Sequence, residues 1–258
     1  MKKTSLFLIL LLYITTLTVS QTIDPISPDR PGFTNPPDIV LPHHFQIESG
    51  FNYQYDNSTG LQSKSYLMPT TLFRYGINQN FEIRLEIDIA SQTYQTLSGE
   101  SSLRGLAPII IGTKYHIADQ KKALPQTSFL FSLVLPYFGN EFFRPQYPAP
   151  GFSFLFENAL NKKFILDYNA GLQWNGNDAN PIASVNFSPA YNITKKLNVF
   201  AEIYSYFLKG QVPDYRADGG FAYLPANNIQ LDISGGHGIT SISPDYFISA
   251  GISIRLPR

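Results

Sequence analysis

Residues 81–89 read Phe-Glu-Ile-Arg-Leu-Glu-Ile-Asp-Ile, a strict alternation of apolar and charged side chains. Because successive side chains of a β-strand point to opposite faces, this stretch has one wholly apolar face and one face with four charges. The charged face needs water, since an isolated charge in an apolar environment is too costly. The stretch therefore predicts a strand that lies between water and an apolar medium.

The same alternation recurs along the chain from His43 onward. Strands of soluble proteins usually have about 5 to 6 residues, whereas a tilted membrane-spanning strand has about 9 to 11. The alternating segments are of the longer kind, which favours strands that cross a membrane. We expect about twelve of them, at 43–56, 63–75, 80–94, 104–117, 126–137, 150–159, 164–175, 181–192, 197–209, 216–225, 228–238 and 245–256.

The segments between the predicted strands alternate in length. Short turns are expected at 76–79, 118–124, 160–163, 193–196 and 226–227, and longer polar links at 95–103, 138–149, 210–215 and 240–244. Short turns at one rim, longer loops at the other and an even strand count are typical of bacterial outer-membrane barrels. The predicted fold is therefore all-β, a transmembrane antiparallel up-and-down β-barrel over residues 43–258, with both termini in the periplasm.

Composition agrees with a barrel in lipid. The chain has 16 Tyr and 20 Phe, and 15% of its residues are charged, against about 25% in soluble domains. Tyrosines are expected to form interfacial girdles near strand ends, at Tyr53, Tyr55, Tyr75, Tyr115, Tyr191, Tyr206, Tyr223 and Tyr246. A soluble secreted β-sandwich, the alternative, would place the apolar faces in a dry interior instead. Four prolines fall inside predicted strands, where bulges or strand ends must accommodate them: Pro69, Pro108, Pro136 and Pro189.

The first twenty residues have the features of a secretory signal peptide. Lys2 and Lys3 precede an apolar run from Leu6 to Leu17, and Thr18-Val19-Ser20 supplies small residues before a cleavage site. The apolar run is shorter than the roughly 20 residues that a membrane anchor helix requires. We expect Sec-type export, cleavage after Ser20 and insertion into the bacterial outer membrane, with outer-membrane lipids and the barrel-assembly machinery as partners.

Three motifs carry a resemblance to a known family. Asp29-Arg30-Pro31-Gly32-Phe33 is followed by Glu48 with the run 50–55, and then by residues 69–87, which contain Arg-Tyr-Gly and Glu-x-Arg. Together they resemble the outer-membrane β-barrel family of transporters that is associated with the MetA pathway of phenol degradation. The resemblance implies an outer-membrane barrel with a transport role. It is clearest over the first third of the mature chain, and nothing in these residues requires an aromatic substrate.

The charged faces of the strands predict what would line the lumen of a barrel. Mixed charges in a confined space must pair or stay hydrated, so they form either a structural network or a channel that selects solutes. We expect Arg74, Glu82, Arg84 and Glu86 to form the densest cluster. The full predicted set is Glu48, Arg74, Glu82, Arg84, Glu86, Asp88, Lys114, Asp167, Glu202, Arg216, Asp218, Asp232 and Arg255.

Residues 21–42 are rich in Pro, Asp and Thr and show no strand alternation. We expect a loose periplasmic N-terminal leader. In the alternative arrangement, the segment tucks into the periplasmic mouth as a plug, and Asp29 or Arg30 pairs with charges of the lumen. The two arrangements differ in whether the lumen is open.

The function that these features favour is a transporter or channel for a small solute, whose hydrophobic, aromatic or polar nature the residues leave open. The alternatives are a non-conducting structural or adhesion barrel and an outer-membrane lipid hydrolase. A hydrolase needs a Ser, a base and an orienting group within hydrogen-bond reach, and the four His at 43, 44, 116 and 237 give no such pattern. With no Cys and no metal-ligand spacing, neither a cofactor nor a metal is expected. The balanced charge, 19 basic against 19 acidic residues, gives no general attraction to nucleic acid.

Overall fold

A computed structural model of the protein describes residues 24–57, 61–96 and 99–257. The predicted signal peptide, residues 1–20, lies outside the described residues. Within them, no helix combines the length and the apolar character that crossing a membrane would require.

The described chain forms β-strands and one short 3₁₀ turn at Pro136–Phe138. The strands are β1 (Phe45–Asp56), β2 (Ser63–Asn78), β3 (Phe81–Glu86), β4 (Ile89–Thr96), β5 (Gly99–Leu106), β6 (Ile109–Ala118), β7 (Gln126–Leu135), β8 (Ala149–Ala159), β9 (Phe164–Gln173), β10 (Ile182–Asn192), β11 (Leu197–Leu208), β12 (Asp214–Ala226), β13 (Ile229–Gly238) and β14 (Tyr246–Leu256).

The strands pair antiparallel into one closed sheet. Strand β1 pairs with β14 on one side and with β2 on the other, so the sheet closes on itself. Strands β3 and β4 pair one after the other with β2, and they pair in turn with β6 and β5. The segments β3 and β4 are therefore two parts of one interrupted barrel strand, and β5 and β6 are two parts of the next one. The predicted antiparallel barrel of twelve strands is confirmed.

The two rims differ as predicted. One rim carries the short connections at 79–80, 119–125, 160–163, 193–196 and 227–228, together with the start of β1 and the end of β14. We call it the turn rim. The other carries the ends of β1 and β4 and the connections at 136–148, 174–181, 209–213 and 239–245, and we call it the loop rim.

Strand boundaries differ from the prediction mainly at the hairpin of β4 and β5. The predicted link at 95–103 is wrong, because β4 extends to Thr96 and β5 begins at Gly99. The two strands pair as far as these two residues. The first four residues of β5 are all exposed, so polar residues occupy both faces there. Without an apolar face, this part of the strand has no alternation that a sequence pattern could reveal.

The four prolines lie at irregular points of the sheet. Pro69 lies where the register between β1 and β2 shifts at a bulge, and Pro108 lies in the interruption between β5 and β6. Pro136 begins the 3₁₀ turn, so β7 ends at Leu135. Pro189 pairs with Leu166 of β9. These positions fit a residue that has no N–H to donate to a neighbouring strand.

The apolar row of each strand faces outward and the charged row faces inward. In β3 the side chain of Glu82 is fully buried, whereas Ile83 is 46% exposed. The same difference separates Glu202, which is 2% exposed, from Ile203, which is 57% exposed. A soluble sandwich would bury the apolar row, so the assignment of faces made from the sequence is correct.

Aromatic side chains lie toward both ends of the outer surface. Tyr115, Tyr191 and Tyr223 are exposed near the turn rim, and near the loop rim the ring of Tyr246 contacts the rings of Tyr53 and Tyr55. The prediction for Tyr206 is wrong, because its ring faces the lumen with Arg216 5.4 Å from its centroid. Its even position on β11 gives it the inward face that Glu202 also has.

Candidate functional site: a plugged lumen

Residues 24–42 lie inside the barrel, and we call this segment the plug. Two arrangements were considered for residues 21–42, a loose leader or a segment tucked into the barrel. The side chains of the described part contact the lumen wall, which is the tucked arrangement. It forms no helix or strand between residues 24 and 41. Six of its residues are prolines, which have no backbone N–H. Fewer donors therefore need a partner when the segment leaves water.

Polar side chains of the wall bind the backbone of the plug. Asn169 of β9 accepts a hydrogen bond from the N–H of Asn35 at 2.7 Å and donates one to its carbonyl at 3.0 Å. Asn186 of β10 donates to the carbonyl of Phe33, and Ser128 of β7 donates to that of Pro37. Other strands contribute in the same way, namely β1, β2, β6, β11, β13 and β14. Because buried backbone groups require partners, the wall replaces the water that the plug has lost.

Asp29 of the plug binds three basic side chains of the wall. Its carboxylate lies 3.0 Å from Arg74 Nη1 and 3.0 Å from Lys114 Nζ, and it also pairs with Arg84. Burial by itself raises the pKa of a carboxyl group, but the three cations outweigh this effect and hold the pKa of Asp29 well below its ordinary value. Asp29 is therefore ionised wherever the plug is docked at neutral pH.

Two wall carboxylates complete the arrangement around Asp29. Arg74 binds Glu48 at 2.9 Å and Glu82 at 2.9 Å, and Glu82 also accepts a hydrogen bond from Arg84 at 3.0 Å. We call the six residues Asp29, Glu48, Arg74, Glu82, Arg84 and Lys114 the charge cluster. Its three cations and three carboxylates balance, and four of its side chains are at most 1% exposed: Glu48, Arg74, Glu82 and Lys114.

Arg30 of the plug points to another part of the wall. Its Nη2 donates to Asp232 of β13 at 3.0 Å and to Ser249 of β14 at 3.0 Å. Its guanidinium lies against two glycines that face each other across β1 and β14, Gly50 and Gly251. A Cβ atom on Gly251 would come within 2.4 Å of Arg30 Nε. The absence of side chains at these two positions therefore forms the slot that admits Arg30.

Carboxylates accumulate on the wall opposite to the charge cluster. Glu157 and Asp167 are direct neighbours across β8 and β9, and Glu202 and Asp218 are direct neighbours across β11 and β12. Like charges in this relation repel each other. Among the described residues, Asp167 Oδ1 and both carboxylate oxygens of Asp218 are buried without a hydrogen-bond partner. This surface, the acidic wall, is therefore suited to attract cations.

The predicted site residues fall into several groups in the structure. Five belong to the charge cluster (Glu48, Arg74, Glu82, Arg84 and Lys114), three belong to the acidic wall (Asp167, Glu202 and Asp218), and Asp232 binds Arg30. Glu86 and Asp88 line a cavity with Arg30, so the cluster expected around Arg84 contains Asp29 in place of Glu86. Arg216 pairs with Asp214 at 2.6 Å, and Arg255 binds the carbonyl of Asp24. Their role in conduction stays a prediction.

Sequence reasoning missed the uncharged side chains that hold the plug. These are chiefly Gln126, Ser128, Asn169 and Asn186, together with the inward aromatic rings of Tyr204 and Phe247. The strand alternation could have placed all of them on the inward face. Each lies an even number of residues from a charged inward residue of its own strand, or is in register with the inward residues of a neighbouring strand. Their contact with residues 24–42 has no signal in the sequence.

The plug separates two cavities inside the barrel. A cavity of about 430 Å³ lies on the side of the loop rim, and one of about 790 Å³ lies on the side of the turn rim. Residues 29–32, Asp-Arg-Pro-Gly, line both cavities. This tetrapeptide is therefore the partition between the two halves of the lumen.

A family described as "Putative MetA-pathway of phenol degradation" matches residues 28–256 of the chain. The protein belongs to this family. The resemblance noted at residues 29–87 thus extends to residue 256, and the motif residues Asp29, Arg74, Glu82 and Arg84 meet in one cluster. No curated protein matches the sequence significantly.

Solved structures show the same fold at low sequence identity. An outer membrane channel from Pseudomonas putida F1 is similar with a TM-score of 0.65 and 9% identity, over 88% of this chain and 99% of that one. The translocator domain of the autotransporter NalP from Neisseria meningitidis gives a TM-score of 0.55 and 11% identity, over 84% and 90%. The KdgM porin gives 0.51 and 10%, over 81% and 98%. At such identities the likeness establishes the fold of outer-membrane barrels and nothing finer.

Proposed function

We propose that this protein is a channel of the outer membrane that admits small solutes and is closed by its own N-terminal segment. The observation that carries the proposal is the partition at residues 29–32, which separates two cavities inside a closed barrel. A barrel of eight strands is filled by its side chains, whereas sixteen strands leave an aqueous channel. Twelve strands fall between these sizes, and here a segment of the chain occupies the remaining space.

The contacts of the plug favour a closure that can be reversed. They are hydrogen bonds and ion pairs to wall side chains, such as those of Asp29, Arg30 and Asn35. Neutral hydrogen bonds contribute only about 0.5–1.5 kcal/mol each and those to charged groups about 1.5–3 kcal/mol, because water offers the same partners when they break. A plug that leaves the lumen therefore exposes a wall that is already hydrophilic.

The outer surface supports the membrane part of the proposal. Its exposed apolar row would contact lipid, and the tyrosines near both rims would lie at the level of the headgroups. Export by the Sec route, cleavage after Ser20, insertion by the barrel-assembly machinery and contact with outer-membrane lipids belong to the same proposal.

Conductance in planar bilayers tests the channel directly. The full mature chain and a variant that lacks residues 24–38 would be compared after heat-modifiable gel migration has shown that both form barrels. We expect a small or intermittent conductance for the full chain and a larger, steady one for the variant. Liposome swelling with small sugars would show whether uncharged solutes pass as well. A folded variant without residues 24–38 that passes neither ions nor sugars would disprove the channel.

A further inference from the structure

The only aromatic residue of the plug inserts its ring into a pocket of the lumen wall. The ring of Phe33 stacks on Tyr204 of β11 with centroids 4.6 Å apart and planes at 27°. It meets Phe247 of β14 edge to face at 5.4 Å and 86°. Both geometries are the ones that aromatic pairs prefer. In a lumen wall that is otherwise mainly polar, Tyr204 and Phe247 thus form a pocket for one ring.

A glycine of the wall lets the ring of Phe247 lie close to the neighbouring strand. Gly236 of β13 is paired with Phe247 and with Asp218, and it faces inward. A Cβ atom at this position would lie 2.5 Å from the ring of Phe247 and 2.4 Å from the Cβ of Asp218. The Phe247 ring and the Cβ of Asp218 therefore occupy the space that a side chain at position 236 would take, and both border this side of the pocket.

The pocket also holds polar groups that lack partners. Tyr204 is fully buried, and its hydroxyl forms no hydrogen bond with any described residue. Both carboxylate oxygens of Asp218 are in the same condition. Buried polar groups in proteins nearly always have a partner. A ring that carries a hydrogen-bonding substituent would supply one, which the hydrocarbon ring of Phe33 does not.

The pocket can be reached from the cavity on the side of the loop rim. Phe33 and Tyr206 line that cavity, and the Phe33 side chain is 37% exposed although it lies within the barrel. A small molecule in this cavity would therefore meet the edge of the occupied pocket. Phe33 is also followed by Thr34, and the Phe33 N–H and the Thr34 hydroxyl both bind Glu202, at 2.8 and 2.7 Å.

We propose that the pocket of Tyr204 and Phe247 binds a monocyclic aromatic solute that bears a hydroxyl or amino group, and that Phe33 occupies the pocket when the plug is docked. The solute and Phe33 exclude each other, so the solute binds only the state in which Phe33 has left. A ligand that binds one of two states shifts the population toward that state. Binding of the solute therefore loosens the plug beside Glu202. The release of the plug by the solute rests on the proposed channel function, whereas binding of the solute to the pocket does not.

Binding of benzyl alcohol tests the pocket without any reference to transport. Ligand-observed NMR on the detergent-solubilised protein would compare benzyl alcohol with cyclohexylmethanol, which has a similar size and the same hydroxyl but no aromatic face. We expect preferential binding of benzyl alcohol. Phe33→Leu removes the aromatic competitor and should tighten binding about 2- to 10-fold, in line with the usual strength of one aromatic pair. Tyr204→Leu should weaken it by a similar factor.

The matched control is Tyr115→Leu, which removes a tyrosine whose ring is 48% exposed on the outer surface. It should leave binding of benzyl alcohol unchanged, so that any signal from benzyl alcohol dissolved in the detergent is the same in both proteins. The pocket is refuted if the two alcohols bind equally well, or if Tyr204→Leu behaves like the control in a barrel that migrates as folded.

Channel recordings test the consequence for the plug. Benzyl alcohol should raise the open probability of the wild-type channel more than cyclohexylmethanol does, and Phe33→Leu should show a raised open probability without any alcohol. Equal effects of the two alcohols would refute the coupling and leave the channel proposal standing. A barrel that never conducts would refute the channel, whereas selective NMR binding of benzyl alcohol would still support the pocket.

Discussion

Replacement of Asp29 by Asn is the sharpest perturbation of the plug. The carboxylate contacts Arg74, Arg84 and Lys114 in a place where Asp29 itself is 8% exposed. Asn keeps the size of the side chain and removes its charge. The charge cluster then holds three cations against two carboxylates, and the excess positive charge is relieved when the plug leaves and water enters.

The expected effect is large. Breaking a buried ion pair by removing one partner costs about 3 to 5 kcal/mol, because the other charge stays buried without compensation. At about 1.4 kcal/mol for each factor of ten, the equilibrium between docked and released plug should shift by a factor on the order of 10² to 10³·⁵. A second change, Lys114→Gln, restores the balance with two cations and two carboxylates. The double variant should therefore recover part of the loss.

A single cysteine reports the position of the plug, since the natural chain has none. Ile26 is 5% exposed and lies in the plug three residues before Asp29, so Ile26→Cys should react with a maleimide only when the plug is released. The labelling rate in detergent would be compared for Ile26→Cys alone and with Asp29→Asn added. Asp119→Asn serves as the control, because Asp119 lies at the turn rim with its side chain 86% exposed.

Equal labelling rates with and without Asp29→Asn would refute the reasoning, provided that heat-modifiable migration shows folded barrels. So would a double variant with Lys114→Gln that is released more than the single one, because charge balance would then not control docking. A rise in the labelling rate with Asp119→Asn of the same size would point to a general loss of barrel stability.

Three further predictions concern the same lumen. Gly251→Leu should fill the slot of Arg30 and break its charge-assisted hydrogen bonds, worth about 1.5–3 kcal/mol each, and the Ile26→Cys labelling rate should rise. Open channels should prefer K⁺ over Cl⁻ in reversal-potential measurements. The double substitution Glu157→Gln and Asp167→Asn should lower that preference. An unchanged ratio of K⁺ to Cl⁻ permeability would show that the acidic wall does not line the path of the ions. Because docking lowers the pKa of Asp29, its contribution is fully present above about pH 5 and falls as the pH drops below the ordinary value of about 4. The difference in open probability between wild type and Asp29→Asn should therefore be constant from pH 8 to pH 5 and shrink below pH 4, whereas a difference that grows on acidification would contradict the linkage.

The architecture of the barrel could be predicted from the sequence because it depends on local periodicity. The alternation at 81–89 decides which side chains face water, and the same period repeated along the chain gives the strand number and the two rims. Pattern reasoning failed where the pattern is absent, as in the polar hairpin at 95–103. It also failed for Tyr206, because a tyrosine near a strand end suits both a girdle and a lumen, and only its parity on β11 distinguishes them.

The sequence by itself determined that this chain has a water-facing row of charges and a lipid-facing row of apolar side chains, because both follow from a period of two residues along the strand. Only the tertiary structure decided what the charges bind. Asp29, Arg74 and Lys114 are distant in sequence, and closure of the sheet around the plug brings Arg74 Nη1 and Lys114 Nζ each to 3.0 Å from Asp29 Oδ1. Which residues of an aperiodic, proline-rich segment enter a lumen depends on the shape and the charges of the whole wall, and these exist only once all the strands have closed.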